Sequence, residues 1–223
     1  MERIGLVVAV EEEAIGKVYG TPLSQEKVCG FDIAIYKRYG KEIVVAKSGM
    51  GSILASAATA VLITRYNVDT IFNFGIVGAM SEEFASESVT IVEKLVDYEM
   101  DVSEIDHIPL GQHEGFSSKY LELDKRLIKE AKAKFPSLRL STLASGNVFL
   151  VGEEKKRKHD LFNADICDME LAGIAYVAAS AGVPVFSIKC VADGLLGDGK
   201  EYYKEKEKAS DLCFSVLDSI LKE

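Results

Sequence analysis

The feature that most limits what this chain can fold into is the alternation of short β-branched runs with stretches of helical period. "RIGLVVAV", "FDIAIYKRY", "KEIVVAKS", "DTIFNFGI", "VTIVEKLVDYEM", "LRLSTLASG" and "VPVFSIKCVAD" read as strands. Between them, "SILASAATAVLITRY" after Gly51 and "YLELDKRLIKEAKAKF" from Tyr120 read as helices, the second with apolar residues at Leu121, Leu127, Ile128, Ala131 and Phe135. Strands that are apolar throughout need cover on both faces, so the pattern predicts an α/β fold with a largely parallel sheet. "FDIAIYKRYGKEIVVAKS" turns at Tyr39-Gly40-Lys41, which adds an antiparallel hairpin and makes the sheet mixed. The segment Glu170 to Gly182 is apolar on nearly all faces and reads as a buried helix. A closing amphipathic helix in "EKASDLCFSVLDSILKE" is expected to turn Leu212, Cys213, Val216, Leu217 and Ile220 to the core.

Bulk properties exclude several function classes. No repeat, low-complexity linker or composition break divides the 223 residues, which are expected to form one domain over 1–223. The net charge is −9, and basic residues gather only in "EEKKRKHD" (Glu153 to Asp160), where acids alternate and aromatics are missing; nucleic acid is not an expected partner. Cys29, Cys167, Cys190 and Cys213 are far apart without CxxC spacing and are expected to be reduced core thiols. The first strand begins within four residues and no apolar run approaches about 18 residues, so a cytoplasmic protein with no membrane association is expected. With three histidines in the chain, no metal site is expected, and no cofactor is called for.

In open α/β sheets ligands bind beyond the carboxyl ends of strands, which directs attention to "AVEEE", "KSGMGS", "NFGIVGAM", "SGNVFL" and "KCVADG". "KSGMGS" has neither the GxxxxGK[ST] of a phosphate loop nor a full GxGxxG, and its glycines serve a tight turn or a close ligand equally well. Gly75 and Gly78 leave the same choice open. Glu170 opens the buried helix, where a carboxylate also complements the helix dipole, and Asp193 ends the last strand, where an aspartate also caps turns. Together with Glu13, three acids at converging element ends point to a site.

In their order and spacing, "IGLVVAVEEE", "KSGMG", "NFGIVGAM", "SGNVFL" and "DMELAGIAYVAASAGVPVFSIKCVAD" resemble the 5′-methylthioadenosine/S-adenosylhomocysteine nucleosidases of the purine nucleoside phosphorylase superfamily, over nearly the whole chain. The resemblance implies a three-layer α/β/α sandwich around a mixed twisted sheet, and hydrolysis of the N-glycosidic bond of 5′-substituted adenosines. It implies that Glu13 activates the attacking water, that Glu170 holds the ribose hydroxyls with Met169 against sugar and base, and that Asp193 protonates the purine at N7. By the same likeness Phe149 stacks on the purine, the backbone of Val148 or Leu150 meets its edge, and Ser48 to Gly51, including Met50, with Gly75 to Gly78 line the ribose side. Tyr203, or Tyr202 in its place, would cover the ligand. The loop from Asp101 to Gln112 would cross a homodimer interface, with Val102 and Ile105 completing the neighbour's 5′-substituent pocket.

Three positions depart from that family's pattern: Ile76 stands where a small hydroxyl residue is common, Ala192 replaces a serine and Lys189 replaces an arginine that helps hold the water. These departures bear on substrate choice and rate. A phosphorylase, a nucleosidase for another 5′-substituted adenosine such as aminodeoxyfutalosine or 5′-deoxyadenosine, and a silent nucleoside-binding homologue are the competing readings.

Overall fold

The computed structural model describes residues 2–195, 197 and 200–222, the side chains of 201 and 202 excepted. Among these the elements run β1 (Arg3–Val8), α1 (Glu12–Tyr19), β2 (Ser24–Val28), β3 (Phe31–Arg38), β4 (Lys41–Lys47), α2 (Ser52–Tyr66), β5 (Thr70–Ala79) and β6 (Val89–Asp97). They continue with α3 (Ser103–Asp106), β7 (Leu121–Glu122), α4 (Lys125–Lys134), β8 (Arg139–Ser145), α5 (Glu153–Phe162), β9 (Ile166–Asp168), α6 (Leu171–Ser180), β10 (Val185–Asp193) and α7 (Lys200–Leu221).

The mixed α/β architecture follows the alternation in the sequence. All described strands join one sheet, in which β1 lies between β4 and β5 and both pairings are parallel. Antiparallel β3 and β2 extend the β4 side through two-residue turns at Tyr39-Gly40 (φ 53° and 74°) and Cys29-Gly30 (φ 51° and 88°). Two positive φ values in succession are the signature of a type I′ turn, whose twist matches that of the strands. The other side is curled rather than open. Strand β5 pairs with β10, β10 with β6, β6 with β8, β8 with β9, and β9 returns to the last residues of β5. That closure brings the carboxyl ends of β1, β5, β9 and β10 close together.

Helices α2 and α6 pack on each other and against the sheet, and elsewhere α7 packs on α1 and lies along β5 and β10. Gly173 of α6 makes the first contact close: a Cβ there would lie 2.2 Å from the carbonyl oxygen of Ser52, so only glycine lets the helices approach this far. Strand β10 is buried along its whole length, as expected of a strand covered on both faces.

Several local expectations are corrected. The stretch from Tyr120 is not helical throughout: Leu121–Glu122 pair with β6 first, and α4 starts only after Asp124, whose Oδ1 accepts from the Leu127 amide at 2.9 Å as an N-cap. Strand β2, with four of its five residues exposed, was not foreseen, because a polar edge strand lacks the apolar signal. Cys29 is exposed in its hairpin turn, while the other three thiols are buried. On α7, Leu212 faces solvent and Phe214, Leu217 and Leu221 take the core side with Cys213.

Candidate active site

One open cavity of about 690 Å³, its mouth included, is lined at the carboxyl ends of β1, β5, β9 and β10 by four acids: Glu11, Asp168, Glu170 and Asp193. Each acid is placed by a local device that the sequence determines.

Asp193 is placed by a β-bulge. Along β10, Val191 pairs with Val77, yet Asp193 pairs with Gly78, so Ala192 is the extra residue and the aspartate sits opposite a position without a side chain. A Cβ on Gly78 would come within 3.1 Å of Lys155 Cε and 3.2 Å of Lys155 Nζ. Lys155, from α5, is fully buried and forms a closed ion pair with Asp193 Oδ2. Its ammonium also donates to the Gly194 carbonyl at 2.7 Å. Asp193 is 1% exposed, and its Oδ1 has no hydrogen-bond partner among the described residues. Cys167 shares this wall, its thiol pushed up to about 12 by burial, so it stays neutral near pH 7.

Asp168 ends β9 and caps α6. Its carboxylate accepts from Ser145 Oγ at 2.7 Å, from the amides of Glu170 and Leu171 at 3.3 Å, and from Lys189 Nζ at 2.8 Å in a second buried ion pair. Burial alone would lower the Lys189 ammonium; Asp168, helped by Glu170 and Glu11, outweighs it and holds the group above its ordinary value. Glu170, just before α6, accepts from the Gly51 amide at 2.9 Å. Gly51 has φ 97° and ψ 150°, a conformation open essentially to glycine alone, and this gives the loop "KSGMGS" its role: it presents an N–H to a carboxylate. Burial first, and then the Asp168 charge, raise Glu170 to about 7.

Within "EEE" it is Glu11, and not the expected Glu13, that lines this cavity. Helix α1 starts at Glu12, and Glu11 at its N-cap is 5% exposed, lines the cavity, and accepts from the Val10 amide at 3.0 Å. Glu13 is exposed and lines an adjoining hollow toward α7 with Lys17 and Asp211, a hollow that Glu11 and Tyr203 also border; Ala14 and Ile15 take the buried face.

Of the other expected residues, Met169, Leu150, Ile76 and Gly78 line the cavity wall. Met50, Val148, Phe149 and Tyr203 line its mouth with much of their apolar surface exposed. The Tyr202 side chain lies outside the described residues. Lys189 and Gly75 stand behind the wall, and Ala192 is the buried bulge residue rather than a ligand contact. Val102 and Ile105 do not line the cavity of their own chain; Ile105, on α3, is 81% exposed. Lys155, Asp168 and Glu11 were not identified from the sequence as site residues. No cluster of His, Cys, Asp and Glu that would hold a metal occurs among the described residues.

Fold and cavity together define an α/β protein with an acid-rich, apolar-rimmed small-molecule site at the carboxyl ends of its strands. A family model described as "Phosphorylase superfamily" matches residues 3–222, and the chain belongs to that superfamily. Among curated relatives, an aminodeoxyfutalosine nucleosidase of Campylobacter jejuni is 30% identical over 165 residues, 72% of this chain and 70% of the relative. A 5′-methylthioadenosine/S-adenosylhomocysteine nucleosidase of Marinomonas is 26% identical over 204 residues, 86% of each chain. Among solved structures, the corresponding Helicobacter pylori nucleosidase has a TM-score of 0.93 at 24% identity over 99% of this chain and 97% of that one, which shows the shared fold.

Proposed function

We propose that this protein hydrolyses the N-glycosidic bond of 5′-substituted adenine nucleosides, methylthioadenosine and adenosylhomocysteine among them. The observation that carries the reading is the convergence of Glu11, Glu170 and Asp193 on one cavity whose mouth offers apolar side chains for a flat base. Breaking the C1′–N9 bond builds positive charge on the ribose and negative charge on the base. Carboxylates on the sugar side stabilise the first, and a proton delivered at N7 relieves the second. In this assignment Glu11 takes the proton of the attacking water, Glu170 accepts from the ribose hydroxyls, Asp193 faces the base, and Phe149 and Met169 pack against the bound nucleoside.

Water is favoured over phosphate as the nucleophile by charge. Four carboxylates line the cavity, while the two lysines behind its wall, Lys155 and Lys189, are both engaged in ion pairs. A phosphate dianion entering this field meets repulsion. The relative of Campylobacter jejuni supports a second reading in which the same machinery acts on aminodeoxyfutalosine. The exposed apolar residues at the cavity mouth and on α3 support a homodimer in which the 101–112 loop, through Val102 and Ile105, completes the neighbour's site.

Adenine release from methylthioadenosine, followed with and without phosphate, tests the reaction; release only with phosphate overturns hydrolysis, and no release in either overturns the reading. Glu11→Gln is expected to lower kcat by about 10²–10³, the usual effect of losing a general base, and Glu13→Gln to leave it within about twofold. The reverse ranking would return the role to Glu13. Comparing kcat/KM for methylthioadenosine and aminodeoxyfutalosine separates the two substrate readings.

A further inference from the structure

The pair formed by Lys155 and Asp193 raises a question that hydrolysis by itself leaves unanswered. The departing base needs a proton, and the carboxylate that faces it is closed in a buried ion pair with the Lys155 ammonium. We propose that Lys155 is a positioning residue that acts through Asp193, supplying from its ammonium group the proton that Asp193 passes to the base. The inference rests on the reading of the cavity as an N-glycosidase site.

Three observations carry it. After Glu153 and Glu154, helix α5 carries four consecutive basic residues, Lys155 to Lys158, and of these only Lys155 is buried. A lysine in a dry interior loses its hydration, a cost an apolar residue would avoid, so a buried cation at this position calls for a purpose. Second, Lys155 does not line the cavity while Asp193 does, so a ligand meets the aspartate with the lysine behind it. Third, the surroundings are arranged to admit the lysine: Gly78 has no side chain where its Nζ passes, the Gly194 carbonyl takes a second N–H, and Asp193 Oδ1 is left without a partner among the described residues.

The proton inventory closes. As C1′–N9 breaks, the bonding pair passes into the purine, a ring nitrogen takes a proton through Asp193, and Asp193 is restored by one from Lys155 Nζ. Lys155 ends neutral, the attacking water bonds to C1′, and its proton goes to Glu11. Solvent exchange after product release moves one proton from Glu11 and returns one to Lys155, so the net charge of the site is unchanged over a cycle.

The test is a double-mutant cycle on methylthioadenosine with K155M, D193N and K155M/D193N, with thermal melting to confirm folding. K155M is expected to lower kcat by about 10²–10³ with KM changed less than about threefold. The double variant is expected to be no more than about threefold slower than D193N alone, because residues acting as one unit lose their function once. If K155M strands Asp193 and fails to fold, K155Q, which keeps a donor, takes its place in the cycle. Losses that multiply in the double variant, or an unchanged kcat in the Lys155 variant, overturn the proposal while leaving the hydrolase reading intact. A wild-type protein that releases no adenine overturns that reading instead.

Discussion

The two lysine–aspartate pairs beside the cavity look alike by burial and charge. Lys155–Asp193 and Lys189–Asp168 are each at most 2% exposed at the side chains, and both aspartates line the same cavity. Gly78 lies against the first and Gly75 beside the second, three residues apart on β5, a separation of roughly 10 Å along the strand. They differ in hydrogen bonding. Asp168 is saturated by a serine hydroxyl, two helix amides and its lysine, so its pair is a joint holding β8, β9, β10 and α6 in register around Glu170. Asp193 keeps one oxygen without a partner among the described residues. Burying a charge is costly in both places, and under the proposal above the leftover acceptor belongs to the pair that serves chemistry, the saturated carboxylate to the one that serves assembly.

That contrast predicts opposite phenotypes. Asp168→Asn leaves the buried Lys189 cation without its ion-pair partner and weakens the cap on α6, and is expected to cost about 3–5 kcal/mol of stability by denaturant unfolding. Asp193→Asn is expected to cost clearly less, because Lys155 retains the Gly194 carbonyl, while removing most turnover. A larger stability loss at Asp193 than at Asp168 would erase the distinction.

The next effect is about tenfold and concerns Glu170, which borders the saturated pair. Its acid is raised to about 7 by burial and by Asp168. The folded state therefore binds this proton more tightly than the unfolded chain, so its contribution to stability is fully present below the ordinary carboxylate range and is lost as pH rises toward 7. The proposed role of Glu170, accepting ribose hydroxyl hydrogens, is served best by the ionised form and moves the other way. From pH 6 to pH 8, kcat/KM is expected to rise about tenfold, the ionised fraction of a group titrating near 7, and Glu170→Gln is expected to flatten that limb. A rise that survives in Glu170→Gln would assign the titration to another group.

How far this site was legible in the sequence follows from the same physics. Glu170 and Asp193 could be found because each stands at a junction, one before an apolar helix and one at the end of an apolar strand, and the hairpin at Tyr39-Gly40 could be found from its turn residues. Glu11 could not be separated from Glu13, since three identical side chains differ only in where α1 begins, and helix boundaries are the least determined feature of a sequence. Lys155 was hidden in a basic run that otherwise faces solvent; its burial depends on the missing Cβ of Gly78, 77 residues away, and on the bulge at Ala192. Edge strand β2 is polar and carries no periodic signal at all.

The smallest expected effects sharpen the comparison of the two pairs most closely, because both are single methyl groups on one strand. At Gly75 an added Cβ would meet Glu11 Oε1 and Lys189 Nζ at 3.6 Å, ordinary contact. Gly75→Ala is therefore expected to stay within about 1 kcal/mol of wild type, with the reduced freedom of the unfolded chain offsetting any loss. At Gly78 the same methyl group would press on Lys155 at 3.1 Å and on Cys167 Sγ at 3.2 Å, neighbours held in a filled wall. Gly78→Ala is expected to cost about 1–3 kcal/mol by overpacking and to lower kcat more than it raises KM, since what it displaces is the lysine behind Asp193 rather than the ligand. Denaturant midpoints and steady-state rates measured on the two variants side by side decide it: equal costs, or a KM effect at Gly78 alone, would place Lys155 outside the machinery and leave Asp193 to act without it.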